Sequence, residues 1–119
     1  MSAKEIVQKF YQSEAMTDKE ILKEYLHPEI VLEWNSSKEF IKMDYNSLLD
    51  FSAELGRAYS QSSIKISHII GENDMVSVRY SHFANTIENP REEMLLAHFI
   101  AIWQIKDDKL FRGYQMSQL

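Results

Sequence analysis

Cysteine is absent from this chain, so disulfides, thiolate metal sites and a cysteine nucleophile are excluded. A chain without cysteine suits a reducing compartment, and the expectation is a cytoplasmic protein. Glycine occurs three times, at dispersed positions, which leaves no glycine-rich loop to cradle a phosphate. Positive charge is in deficit: 13 Lys and Arg against 18 Asp and Glu give a formal net charge of −5 at pH 7. Nucleic acid and anionic membrane surfaces are therefore disfavoured as partners, because both are held by clustered Lys and Arg. No apolar run approaches the roughly 20 residues needed to span a bilayer. The opening segment MSAKEIVQKF also lacks the apolar stretch of a secretory signal.

What is present reads as globular. The 119 residues are 45% hydrophobic and 26% charged, which suits a single domain over residues 1–119 with a core of its own. Ser2-Ala3-Lys4-Glu5 is a capping box, and Ile6, Val7, Phe10, Tyr11 and Glu14 follow at helical spacing. Thr17-Asp18-Lys19-Glu20 repeats the signal before Ile21, Leu22, Tyr25 and Leu26, a second short helix that Pro28 should end. Ile30 to Trp34 reads as a short strand, and residues 35–43 as a loop. Asp44 is a fitting N-cap for a third helix carrying Leu48, Leu49, Phe51, Leu55 and Tyr59.

From Ser63 the period changes from helical to two. Ile64, Ile66, His68 and Ile70 alternate with polar residues, as do Val76, Val78, Tyr80, His82 and Ala84. Turns are expected at residues 72–74, at Asn89-Pro90 and at Asp107-Asp108, with strands over 94–106 and 110–117. Helices first and paired strands after them is the α+β pattern.

The strand from Leu95 to Ile105 is apolar on both sides, unlike a strand with one wet face. Strict alternation places Leu95, Ala97, Phe99, Ala101 and Trp103 on one face. Leu96, His98, Ile100 and Ile102 then share the other with Leu110, Tyr114 and Met116 of the last strand. If helices cover the first face, the second needs its own cover: a homodimer through this outer face is expected, the alternative being residues 35–43 or a terminus folded over it.

Three segments, Tyr25–Trp34, Gly71–Tyr80 and Phe99–Ile105 running into Asp107-Asp108-Lys109-Leu110, together with the order of the helices, resemble the nuclear transport factor 2-like superfamily, SnoaL-like branch. The resemblance lies in order, spacing and length over nearly the whole chain. It implies a cone-shaped roll: three helices from the N-terminal half packed on a curved, mainly antiparallel sheet, with a small apolar molecule held in the cone. Such proteins include ketosteroid isomerases, polyketide cyclases, dehydratases, epoxide hydrolases and binders without chemistry, so membership does not fix function. The isomerases use an Asp base, and a Tyr and a protonated Asp as oxyanion donors. The matching positions here hold Trp34, Phe10 (with Tyr11 beside it) and Ala101, and none of the three matching residues can take those roles. The chain does not read as a steroid isomerase.

The same register turns Trp34, Val78, Tyr80, His82, Phe99, Ala101, Trp103, Gly113, Gln115 and Ser117 into the cone. Ligand binding is expected from Trp34, Phe99, Ala101, Trp103 and Gln115. His82 is the candidate acid or base, because imidazole titrates near neutral pH, and Tyr80 is the candidate hydrogen-bond donor beside it. Three functions fit: a lyase or isomerase using His82, a non-catalytic carrier or sensor, and a dimeric interaction domain with a filled cone. His27, His68, His82 and His98 lack metal-ligand spacing, so neither a metal nor another cofactor is expected.

Overall fold

A computed structural model describes residues 1–119. Three helices, α1 (Ala3–Gln12), α2 (Lys19–Leu22) and α3 (Tyr45–Ala58), precede or interleave with six strands: β1 (Leu26–Asn35), β2 (Phe40–Met43), β3 (Tyr59–Glu72), β4 (Met75–Thr86), β5 (Glu93–Lys106) and β6 (Lys109–Gln118). The strands form one sheet in the order β2-β1-β6-β5-β4-β3, antiparallel throughout except where β1 runs parallel to β6. This is the expected α+β arrangement of helices on a mainly antiparallel sheet.

Both long helices begin where their caps predict. Ser2 Oγ accepts the Glu5 amide at 3.2 Å, and Asp44 Oδ1 accepts the Ser47 amide at 2.9 Å while Ser47 Oγ accepts the Asp44 amide at 2.8 Å. The apolar stripe of α1, Ile6, Val7, Phe10 and Tyr11, is fully buried against the sheet. Helix α3 crosses the open part of the sheet, and its buried Ser52 donates to the carbonyl of Ala15 at 2.9 Å, tying α3 to the corner after α1. The gap closes tightly there, since a Cβ on Gly56 would be driven into the carbonyl oxygen of Thr17. With glycine scarce, Asn73, Asp107 and Asp108 supply the positive-φ turn positions, at 55°, 54° and 59°.

Several expected boundaries and faces move. Helix α2 is a single turn capped by Asp18 rather than Thr17, and Tyr25 and Leu26 lie beyond it. Pro28 sits inside β1 instead of between a helix and a strand. It has no N–H, and the pairing of β1 with β6 lapses between Leu26 and Val31. Residues 40–43, expected as loop, form the edge strand β2 on β1.

Apart from an irregularity at Ser60 where β3 begins, three bulges shift side chains between the expected faces. In β3, an irregularity after Ile66 turns Ile69 toward the core and leaves Ile70 69% exposed, against the expected Ile64–Ile66–His68–Ile70 face. In β5, His82 pairs with Ala97 and Phe83 with Leu95, so Leu96 is the extra residue. Leu96 therefore faces the cone, and Leu95 takes its place outside. In β6, Gln104 pairs with Arg112 and Ile105 with Leu110, so Phe111 is the extra residue and Leu110 is fully buried rather than outward.

Beyond these bulges the alternation holds. Val76, Val78, Tyr80 and His82 of β4 and Ala97, Phe99, Ala101 and Trp103 of β5 are all buried on the helix-covered face. Ile100, Ile102, Tyr114 and Met116 remain 42–67% exposed on the other face, beside the exposed His98.

Candidate functional site

The concave face of the sheet and the inner sides of α1 and α3 enclose a cavity of about 270 Å³. Its floor comes from the period-two pattern of four neighbouring strands. Trp34 of β1, Tyr80 and His82 of β4, Phe99 and Trp103 of β5 and Gln115 of β6 all reach it. Ala101 does not. It is wholly buried between Val78 and Gln115, its pairing partners on β4 and β6, and its methyl is too short to reach the cavity. Val78 and Gly113 likewise stay behind the wall. The roof comes from Leu48, Phe51, Ser52 and Leu55 of α3, and the inner end from Phe10 and Tyr11 of α1.

The pattern had a second half that strand alternation could not disclose. Leu48, Phe51 and Leu55 are visible in the sequence as an apolar helix face, yet such a face ordinarily marks core. Here they are only half-buried, because part of what they cover is empty space. Leu96 joins the wall only because of the bulge in β5. The mouth is formed by Ser36, Ser37 and Lys38, in the turn between β1 and β2, with Leu119 opposite. The Leu119 amide donates to Ser37 Oγ at 3.2 Å and ties the two rims together.

Polar groups in the wall bond mostly to one another. The Tyr80 hydroxyl donates to Gln115 Oε1 at 2.9 Å, reaching from β4 to β6 across β5. Ala101 lies on the strand between them, where a larger side chain would obstruct that bond. The Trp103 indole N–H donates to the Tyr11 hydroxyl at 2.9 Å, and the Trp34 indole N–H to Ser117 Oγ at 2.8 Å. Trp103 needs Gly113 opposite: a Cβ there would overlap both the indole and the Leu32 side chain. Aromatic rings line the space between these bonds. Tyr80 and Phe99 stack with centroids 4.8 Å apart at 6°, and Trp34 packs at 5.6 Å edge-on to Phe51.

His82 is held differently. Its Nε2 lies 2.9 Å from Ser62 Oγ on β3, while Nδ1 has no hydrogen-bond partner in the protein and is not sealed from solvent-sized space. Burial lowers its pKa to about 4, so the imidazole is neutral at pH 7. Burial also pushes the Tyr11 phenol up to about 12, and pushes Tyr80 well above its ordinary value with the Tyr11 phenol acting in the same sense. No Asp or Glu touches the cavity, and its sole charged side chain is Lys38, exposed at the mouth. At neutral pH the interior is an uncharged aromatic chamber with two polar groups left without a protein partner: His82 Nδ1 and the Gln115 amide nitrogen.

Solved structures share this architecture at low sequence identity. IdmH from Streptomyces antibioticus, described as a candidate polyketide cyclase, superposes with a TM-score of 0.77 at 12% identity, covering 98% of this chain and 92% of its own. A candidate polyketide cyclase from Acidithiobacillus ferrooxidans gives 0.75 at 16%, covering 97% and 87%. A protein of ketosteroid isomerase-like fold from Catenulispora acidiphila, in complex with trimethylamine, gives 0.70 at 10%, covering 93% and 83%. At such identities the likeness is one of fold. A search of curated proteins gave no match. The sequence itself matches the family model of the SnoaL-like domain over residues 7–113, from the first helix through the cavity strands to β6. A cone-shaped α+β roll with a chamber under α3, matched by that model over most of its length, makes this chain a member of the SnoaL-like domain family.

Proposed function

We propose that the chain binds a small, largely apolar molecule in the cone. The observation that carries this reading is the cavity itself: about 270 Å³ of space in which 18 of the 25 bordering residues are hydrophobic and none is acidic. The fold neighbours described as polyketide cyclases support a small-molecule role. Benzene is the minimal probe, since an apolar cavity of roughly 150 Å³ takes it up. Saturating benzene should raise the melting temperature by mass action. An unchanged melting temperature would argue for a filled cone and an interaction domain.

A second reading rests on Nδ1 of His82. In the tautomer whose Nε2–H donates to Ser62 Oγ, Nδ1 is a bare acceptor that can take a proton from a carbon beside a carbonyl and return it elsewhere, as a lyase or isomerase requires. Gln115 could donate its amide N–H to the developing oxyanion, with Tyr80 fixing the amide from the other side. In D2O, the protein should then speed deuterium uptake at the α-carbon of 1-tetralone, and His82→Ala should abolish that. Binding without exchange would leave a carrier or sensor, which a wall without carboxylates suits equally. The cavity-lining Trp34, Phe99 and Trp103 serve as ligand contacts in either case, and Ala101 as the spacer beneath the Tyr80–Gln115 bond.

The outer sheet face adds an assembly. We assign Ile100, Ile102, Tyr114, Met116 and His98 to a homodimer interface, supported by the exposure of four large apolar side chains in two neighbouring cross-strand pairs, Ile100–Met116 and Ile102–Tyr114, on one face. Leu96, which faces the cone, is not part of it.

A further inference from the structure

Resting on the binding reading above, the dimensions and polarity of the cavity narrow the ligand. An engineered apolar cavity of roughly 150 Å³ holds one benzene. By proportion, about 270 Å³ accommodates about ten or eleven non-hydrogen atoms. That is two fused six-membered rings with one substituent, and less than a three- or four-ring skeleton needs.

The walls set the shape. Trp34 has Phe51 on one side at 5.6 Å and Phe99 on another at 6.1 Å, so flat ring faces and edges border this part of the space, while Leu48, Leu55 and Leu96 border it elsewhere. One end is polar. Gln115 bonds Tyr80 through one end of its carboxamide, and the other end has no protein partner. The Tyr11 hydroxyl beside it accepts from Trp103. This can satisfy one ketone or hydroxyl on the ligand. A ligand charge would meet nothing of opposite sign inside, with Lys38 exposed at the mouth and no acidic side chain on the wall. Burying an unpaired charge in such a place is strongly unfavourable.

We infer that the cone selects a neutral, flat, bicyclic molecule bearing one ketone or hydroxyl, and disfavours both anionic ligands and four-ring skeletons. Both tryptophans of the chain border the cavity, and both donate their indole N–H to wall residues. Two indole signals in the 1H–15N spectrum therefore report occupancy directly. The test titrates the full chain with 1-tetralone (neutral bicyclic ketone), 2-naphthoate (anionic and two atoms larger, read against neutral 2-naphthamide of its own size) and progesterone (neutral, four rings). The expected result is saturable movement of both indole signals by 1-tetralone, with a Kd on the order of 10–100 µM. Binding of 2-naphthoate and progesterone should be at least about tenfold weaker, the factor that about 1.4 kcal/mol provides. Progesterone binding as tightly as 1-tetralone would overturn the size limit, and 2-naphthoate binding as tightly as 2-naphthamide would overturn neutrality, each leaving a binding cone intact. If none of these ligands moves the indole signals, and benzene leaves the melting temperature unchanged, the binding reading itself fails.

Discussion

Burying His82 between Phe99 and Ser62 gives the folded state a pH signature. The folded pKa of about 4 lies below the ordinary value of 6.5, so between these values the unfolded chain binds the proton and the folded chain does not. Stability is therefore fully present above pH 6.5 and falls as pH drops toward 4, by up to about 3 kcal/mol from this group. His82→Gln should flatten that portion of the stability–pH curve, as measured by urea unfolding between pH 4 and 7. An equally steep curve in the variant would place the dependence elsewhere. Any turnover that uses His82 as base should stay level from neutral pH down to about pH 5 and decline as the imidazole protonates near pH 4. The Tyr80–Gln115 bond makes a separate prediction. Tyr80→Phe removes the donor and strands a buried amide oxygen, so it should cost about 1–3 kcal/mol in the same unfolding assay.

At the scale of elements, one tight constraint on the cavity wall is the meeting of β5 and β6 at Trp103 and Gly113. Gly113→Ala puts a methyl into the space of the indole and of Leu32, and overpacking of this kind costs about 1–3 kcal/mol. The same substitution should displace the Trp103 indole signal. A variant as stable as the parent, with that signal unmoved, would show more slack in the wall than its geometry allows. Most elements could be read from the residues alone. The caps at Ser2 and Asp44, the stripe on α1 and the inward row Tyr80, His82, Phe99, Trp103 and Gln115 follow from local chemistry and period. The extra residues at Ser67, Leu96 and Phe111 could not be read, because a bulge depends on the partner strand and leaves the local pattern unchanged. Edge strand β2 is specified chiefly by its pairing to β1, with only Met43 of its four residues buried. The roof of the site was hidden for another reason: Leu48, Phe51 and Leu55 have the pattern of core residues, and only the fold reveals the space beneath them.

At the scale of the molecule, one sheet serves two surfaces. Its concave face closes a chamber with the helices, and its outer face presents Ile100, Ile102, Tyr114 and Met116 to solvent. The proposed homodimer would bury the outer set against itself across a two-fold axis. Ile100→Glu places two like-oriented carboxylates into that contact and should leave a monomer at micromolar concentration by analytical ultracentrifugation. The cone should be unaffected, since Ile100 points away from it, and benzene should still raise the melting temperature. A dimer that survives this substitution would move the interface off this face.

Ligand binding in the cone depends most on the chamber under α3 being open space. A crystal structure determined under xenon pressure tests this directly, because xenon enters dry apolar cavities and is readily located. The expected result is ordered xenon among Trp34, Phe51, Phe99 and Trp103. Those side chains collapsed onto one another, with no xenon between the sheet and α3, would contradict the account.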